Sequence, residues 1–238
     1  LATRQSWPSL VFLLPCLLTY EIGLYVQGGA DCRSLRGAAD GWIIDLVERL
    51  GIQDHWWPPL LLALALLVRH ALERTDWRFP PIYLVGIVLE SVVFAVALVG
   101  LGRLIDLGFH RLERLPSLVA SSAEPIIEFD PWLGFLGAGI YEEFVFRLIL
   151  LSLILAGLSW PSIPRVVAVT LGMIGSSLAF SLAHHLGGPG EAFTWFAFVF
   201  RWSAGIFFAW VYLVRGFGIA VGTHVSYDLI VGYWGIPH

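Results

Sequence analysis

The sequence predicts an all-α fold: a polytopic transmembrane helical bundle of about seven spans, with a short helix lying at the surface. Two observations carry that expectation. Of 238 residues, 58% are hydrophobic and 13% charged, with a mean hydropathy of +0.78, where a soluble domain is about a quarter charged. The apolar residues also fall in runs, several of them near the ~20 residues a helix needs to cross a bilayer.

Seven segments read as spans: 7–26, 56–72, 81–105, 132–157, 166–186, 192–214 and 217–234. The first follows Arg4 and contains Pro15 but no convincing cleavage site, so it reads as a retained span and not a signal peptide. The second is short and opens with Trp56-Trp57-Pro58-Pro59. Trp7, Trp56, Trp57, Trp77, Trp132, Trp160 and Trp234 lie at or near segment ends, where amphipathic rings favour the membrane interface. Between the first two spans, Ile43, Leu46, Val47 and Leu50 recur at helical spacing and Asp40 is placed as an N-cap, which predicts the surface helix. The stretch 106–131 is the longest polar connection and holds Arg111, Glu113, Arg114, Glu124, Glu128 and Asp130. Residues 1–238 read as one membrane domain, with N-terminal spans and the interfacial helix in 1–127 and a polar-centred core in 128–236.

The net charge of −4 argues against nucleic acid, and lipid is the expected neighbour of the apolar faces. A bacterial plasma membrane is the expected location. Arg residues divide evenly between the loops of the two sides, so the positive-inside rule assigns no orientation. Cys16 and Cys32 lack metal-ligand spacing.

Polar residues at membrane depth face the bundle interior or a wet cavity and by default suggest function. Four groups stand out. Glu142-Glu143-x-x-x-Arg147 sits inside an apolar run. Glu143 and Arg147 are i, i+4 neighbours and can neutralise each other, whereas Glu142 points about 100° away and has no partner on its own helix. In the fifth segment Phe180 and His184 share a face, with His185 read as an interfacial neighbour. In the last segment His224 and Asp228 are i, i+4, a spacing at which a carboxylate can orient the ring. Glu90 and Arg201 are isolated charges that could pair with each other or support the first group.

A carboxylate, two histidines and an Asp in a secluded but wet place suit hydrolysis. Glu142 would act as general base on a water that attacks a carbonyl, His184 would hold that water, and His224 with Asp228 would stabilise the oxyanion. The same set, with His184, His224 and Glu142 as ligands, would equally suit Zn²⁺. The zinc-helix signature H-E-x-x-H, a G-x-S-x-G nucleophile and a paired-Asp arrangement are absent from the sequence.

The three motifs "EEFVFR" (142–147), "FSLAH" (180–184) and "HVSYD" (224–228), in that order on apolar spans, resemble the CPBP (CAAX protease and bacteriocin-processing, or Abi) family. That family includes the type II CAAX prenyl endopeptidases. The resemblance covers about residues 130–235. It implies an intramembrane endopeptidase in which Glu142 is the catalytic base, His184, His224 and residue 228 complete the site, and Glu143 and Arg147 support it. It also implies a protein or peptide substrate, prenylated in the CAAX-type case. Eukaryotic CAAX enzymes carry Asn at the last position, where this chain has Asp228. Two rival readings exist: a proton- or ion-coupled transporter that strings Glu90, Glu142, Glu143, Arg201, His184 and His224 into a relay, and a non-catalytic immunity or scaffold protein. Against the relay, no internal repeat relates two halves of the chain.

Overall fold

Long runs of Leu, Ile, Val, Phe and Ala leave backbone polar groups without water, so those groups are satisfied along the chain as helices. The structure, a computed structural model, describes residues 2–52, 54, 56–113, 131–159, 163–185 and 193–234, and every regular element among them is helical. Helix α1 is Ser6–Gly28, followed by a 3-10 stretch at Gly29–Leu35 and then α2 at Ala38–Arg49. Helices α3 and α4 are Trp57–Glu73 and Ile82–Glu113. Helix α5 runs as an α-helix over Pro131–Glu143, widens to a π-helix over Phe144–Leu151 and closes as an α-helix over Ser152–Gly157. Helices α6, α7 and α8 are Arg165–Ala183, Trp195–Arg215 and Phe217–Trp234. The expected boundary between N-terminal spans and core, at 127/128, lies outside the described residues, as do Trp160 and most of the polar connection 106–131.

Each of the seven apolar segments forms a helix, as expected of the bundle. Among the described residues four helices are long and apolar enough to cross a membrane: Ser6–Gly28, Ile82–Phe109, Arg165–Ala183 and Trp195–Arg215. Helix α3 has only 17 residues, α5 is divided by its π segment, and α8 carries Thr223, His224 and Asp228 in its middle. Helix α3 packs against α1 and α2 at the edge of the bundle, while α5 and α8 pack against each other within it. The outer face is apolar: Val85, Val88, Leu89, Val92, Val93 and Val96 of α4 are all exposed, as expected where lipid is the solvent.

Local signals set the helix ends. Pro58 and Pro59 occupy the first turn of α3, where the missing N–H groups cost nothing. The Thr194 hydroxyl accepts from the Ala197 amide at 3.1 Å and caps α7. Helices α7 and α8 are joined by the single residue Gly216 at φ 100°, a conformation that favours glycine, and a Cβ there would meet the Arg4 backbone at 2.8 Å.

The buried helix α8 lies against α1, α4, α5 and α7. Its approach to α5 depends on Gly139, where a Cβ would stand 2.5 Å from Val225 Cγ2 and 3.0 Å from the Val225 amide nitrogen. Gly139→Val is therefore expected to destabilise the fold by about 1–3 kcal/mol through overpacking. A fall in the unfolding midpoint of the detergent-solubilised protein would show it, and an unchanged midpoint would contradict this reading of the contact.

The surface helix α2 differs from expectation in two ways. Ile43 and Val47 are buried together with Ile44, while Leu46 and Leu50 are exposed. Asp40 is not the N-cap, a position held by Gly37. It is drawn inward to Tyr20, whose hydroxyl donates to it at 2.8 Å, and to Arg36 at 3.1 Å. Arg36 also binds Glu21 at 2.6 Å, and Tyr141 of α5 donates to Glu21 at 3.0 Å. Burial pushes the Asp40 carboxyl up to about 6, outweighing the lowering effects of Tyr20 and Arg36. The folded protein thus holds this proton more tightly than the unfolded chain does. Stability should fall as pH rises from about 4 through about 6, by about 3 kcal/mol if Asp40 acts alone. Asp40→Asn should flatten that slope in unfolding curves recorded across the interval, and an unaltered slope would contradict the assignment.

Candidate active site

Three consecutive residues of α5 point to three different partners, as a 100° step per residue requires. Tyr141 faces Glu21 on α1. Glu142 faces a cavity of about 420 Å³ lined by residues of α5, α6, α7 and α8 together with His184. Glu143 is fully buried and faces α8. The π-helical segment begins immediately after Glu143; such segments often mark functional positions, since they shift the register of the side chains that follow.

The structure brings the four predicted site residues together. His184, just beyond the end of α6, places Nε2 3.7 Å from Glu142 Oε1. His224 on α8 places Nε2 3.8 Å from Glu142 Oε2 and 3.6 Å from Asp228 Oδ2. Glu142, His184, His224 and Asp228 all line the same cavity. These separations exceed a direct hydrogen bond.

Hydrogen-bond chemistry fixes the two rings. His184 Nδ1 lies 2.9 Å from the Phe180 carbonyl oxygen, and His224 Nδ1 lies 2.9 Å from Glu143 Oε1. Neither a carbonyl nor a carboxylate can donate, so both Nδ1 atoms carry the proton. With its proton on Nδ1, the His184 ring can present an Nε2 lone pair toward Glu142, whereas His224 Nε2 faces the carboxylates of both Glu142 and Asp228. Aromatic contacts hold the ring planes: Phe208 of α7 stacks on His224 at 4.5 Å and 12°, and Phe180 meets His184 edge-on at 4.8 Å.

Behind this layer lies an ion pair. Arg147 Nε is 3.2 Å from Glu143 Oε2, and both side chains are 0% exposed. The guanidinium also donates to the Gly205 carbonyl at 3.3 Å and lies 4.4 Å from the Phe180 ring centroid. The pair predicted from spacing therefore exists, but Glu143 has a second task that spacing did not indicate. It, and not Asp228, holds His224 Nδ1. Asp228 stands on the Nε2 side.

The isolated charges separate. Glu90 binds Arg215, with Arg215 Nε donating at 2.6 Å, at the opposite end of α7 from Arg201. Arg201 lines the cavity. His185 packs against Phe193 at 5.1 Å. As for metal, the two Nε2 atoms and a carboxylate are a fitting zinc donor set, and each ring's Nδ1–H bond to an oxygen is the usual outer-shell support. Among the described residues no three such groups stand at metal-ligand spacing.

Comparison with known proteins finds no match among curated proteins and none among solved structures. Residues 129–230, however, match the family model described as type II CAAX prenyl endopeptidase Rce1-like. That segment contains every residue of the cavity lining. Over residues 129–230, somewhat under half of its length, the chain is therefore similar to the type II CAAX prenyl endopeptidase Rce1-like family, and among the described residues four helices are long and apolar enough to cross a membrane.

Proposed function

We propose that the cavity hydrolyses a peptide bond with a water activated by Glu142, and that its substrates include prenylated CAAX-type chain ends. The observation that carries this reading is the convergence of Glu142 with two imidazoles whose Nδ1 protons are both committed elsewhere. A water between Glu142 and His184 donates one O–H to the Glu142 carboxylate and the other to His184 Nε2. As Glu142 takes its proton, the water oxygen attacks the carbonyl carbon. The oxyanion that forms accepts from His224 Nε2–H, the ring being an imidazolium from the outset, with protons on both nitrogens. The carboxylates of Glu143 at 2.9 Å and Asp228 at 3.6 Å offset the ring's charge. Glu142 then passes its proton to the amide nitrogen, the C–N bond breaks, and the carboxylate is restored. Asp228 in this scheme supports the imidazolium and donates nothing, which suits an Asp where eukaryotic relatives carry Asn.

Zinc chemistry would use the same donors. Glu142, His184 and His224 would hold the ion, which when bound would polarise the carbonyl and acidify water. The two schemes separate on one experiment. Purified protein in liposomes is offered farnesylated CAAX peptides and membrane-protein fragments, with and without a zinc chelator. Cleavage that survives the chelator is the expected result. Cleavage lost to the chelator and restored by Zn²⁺ would replace the metal-free scheme with the metal one. No cleavage of any member of the panel would overturn the protease reading of this cavity.

A further inference from the structure

Arg201 stands on the cavity wall and takes no part in the scheme above. We propose that Arg201 binds the C-terminal carboxylate of the peptide substrate, which makes it the residue that selects chain ends over internal segments. The inference rests on the protease reading and assigns the recognition step to a particular side chain.

The placement of Arg201 is the first support. Ala197, Phe200, Arg201, Ala204 and Phe208 all line the cavity, and their spacing is that of one helix face. Arg201 lies six residues into a helix otherwise apolar enough to span the membrane. A guanidinium at such a depth is costly and by default marks a functional surface.

The charge pattern is the second. Arg147 is fully buried and engaged with Glu143. Among the described lining residues Arg201 is the one arginine, in a wall that also holds the carboxylates of Glu142 and Asp228. Most of the remaining wall is aromatic or small and apolar. An uncharged peptide interior has no use for a guanidinium there, but a terminal carboxylate does. Without Arg201 that carboxylate would enter a cavity holding two others. Arg and carboxylate form bidentate, charge-assisted pairs. The group's five N–H donors allow it to bind substrate while keeping a partner within the protein.

The test compares one farnesylated peptide with a free C-terminal carboxylate against the same peptide amidated. Binding is measured by fluorescence anisotropy to Glu142→Gln protein in lipid nanodiscs, and cleavage by wild type is measured in parallel. The free acid should bind about ten- to a hundredfold more tightly than the amide. Arg201→Gln should remove the difference, and Arg201→Lys should keep part of it. The acid-to-amide comparison on protein retaining Arg201 is made in the ligand and does not depend on how any Arg201 variant folds, and the Arg201→Gln result counts where that variant still binds the amide as tightly as the protein with Arg201 does. Equal binding of acid and amide, or a preference that survives Arg201→Gln, would overturn the proposal. Wild-type cleavage of both peptides at equal rates would also overturn it while leaving the protease reading in place. Arg201-dependent binding of the acid without cleavage would sustain the proposal and remove the protease reading.

Discussion

Glu142→Gln is expected to lower kcat for peptide cleavage by about 10²–10⁴-fold, the usual contribution of a positioned general base, while leaving the unfolding midpoint within a few degrees of wild type. The substitution keeps shape and volume and removes only the ability to accept a proton. Its structural cost should be small because Glu142 is not one of the buried ion-paired residues: its side chain is 16% exposed and makes no direct hydrogen bond at 3.7–3.8 Å from the two rings. The contrast with Glu143, 0% exposed and holding both Arg147 and His224, is sharp for neighbours in sequence. A relay reading predicts that Glu142→Gln alters proton or ion flux in proteoliposomes and that cleavage was never present. A scaffold reading predicts no change in either. Cleavage at the wild-type rate by Glu142→Gln protein would remove Glu142 from the chemistry, whatever else the cavity does.

The residues that carry this prediction were legible in the sequence to different degrees, for physical reasons. Composition and long apolar runs announce a helical membrane protein because lipid permits few other structures. Local pairs are legible because helical geometry is fixed: Glu143 with Arg147 and Phe180 with His184 follow from spacing alone. Contacts between helices do not. The Glu143–His224 hydrogen bond joins residues 81 apart, and the nearer Asp228 at i+4 was the obvious candidate for the same task. Similarly, Glu90 pairs with Arg215 across 125 residues, which no periodicity could separate from a pairing with Arg201. The inward turn of Asp40 has the same origin. An Asp before an amphipathic run signals a cap, and only the tertiary structure shows Tyr20 and Arg36 waiting for it. The π segment after Glu143 left no signal either, since its sequence is as apolar as an ordinary span.

Arg147→Met should produce the largest loss of stability, about 3–5 kcal/mol, because it leaves the Glu143 carboxylate buried without its countercharge. It also removes the guanidinium from the Phe180 ring 4.4 Å away and from the Gly205 carbonyl. Thermal unfolding in detergent should show the loss directly. A second variant shows what the pair is for. Replacing both charges, as in Glu143→Leu/Arg147→Met, removes the uncompensated ion, and such apolar replacements are often neutral or stabilising. The double variant should therefore regain most of the lost stability. It should not regain activity, because His224 Nδ1 would then lack its acceptor at 2.9 Å and its ring and tautomer would no longer be set. Recovery of stability without recovery of cleavage would identify the pair as a positioning device for His224. Recovery of both would mean that His224 is oriented adequately by Phe208 stacking and Asp228 alone, and the role given to Glu143 would be withdrawn. Failure to recover stability would instead place the pair's value in the fold, where the Arg147 contacts to α6 and α7 hold three helices together around the cavity.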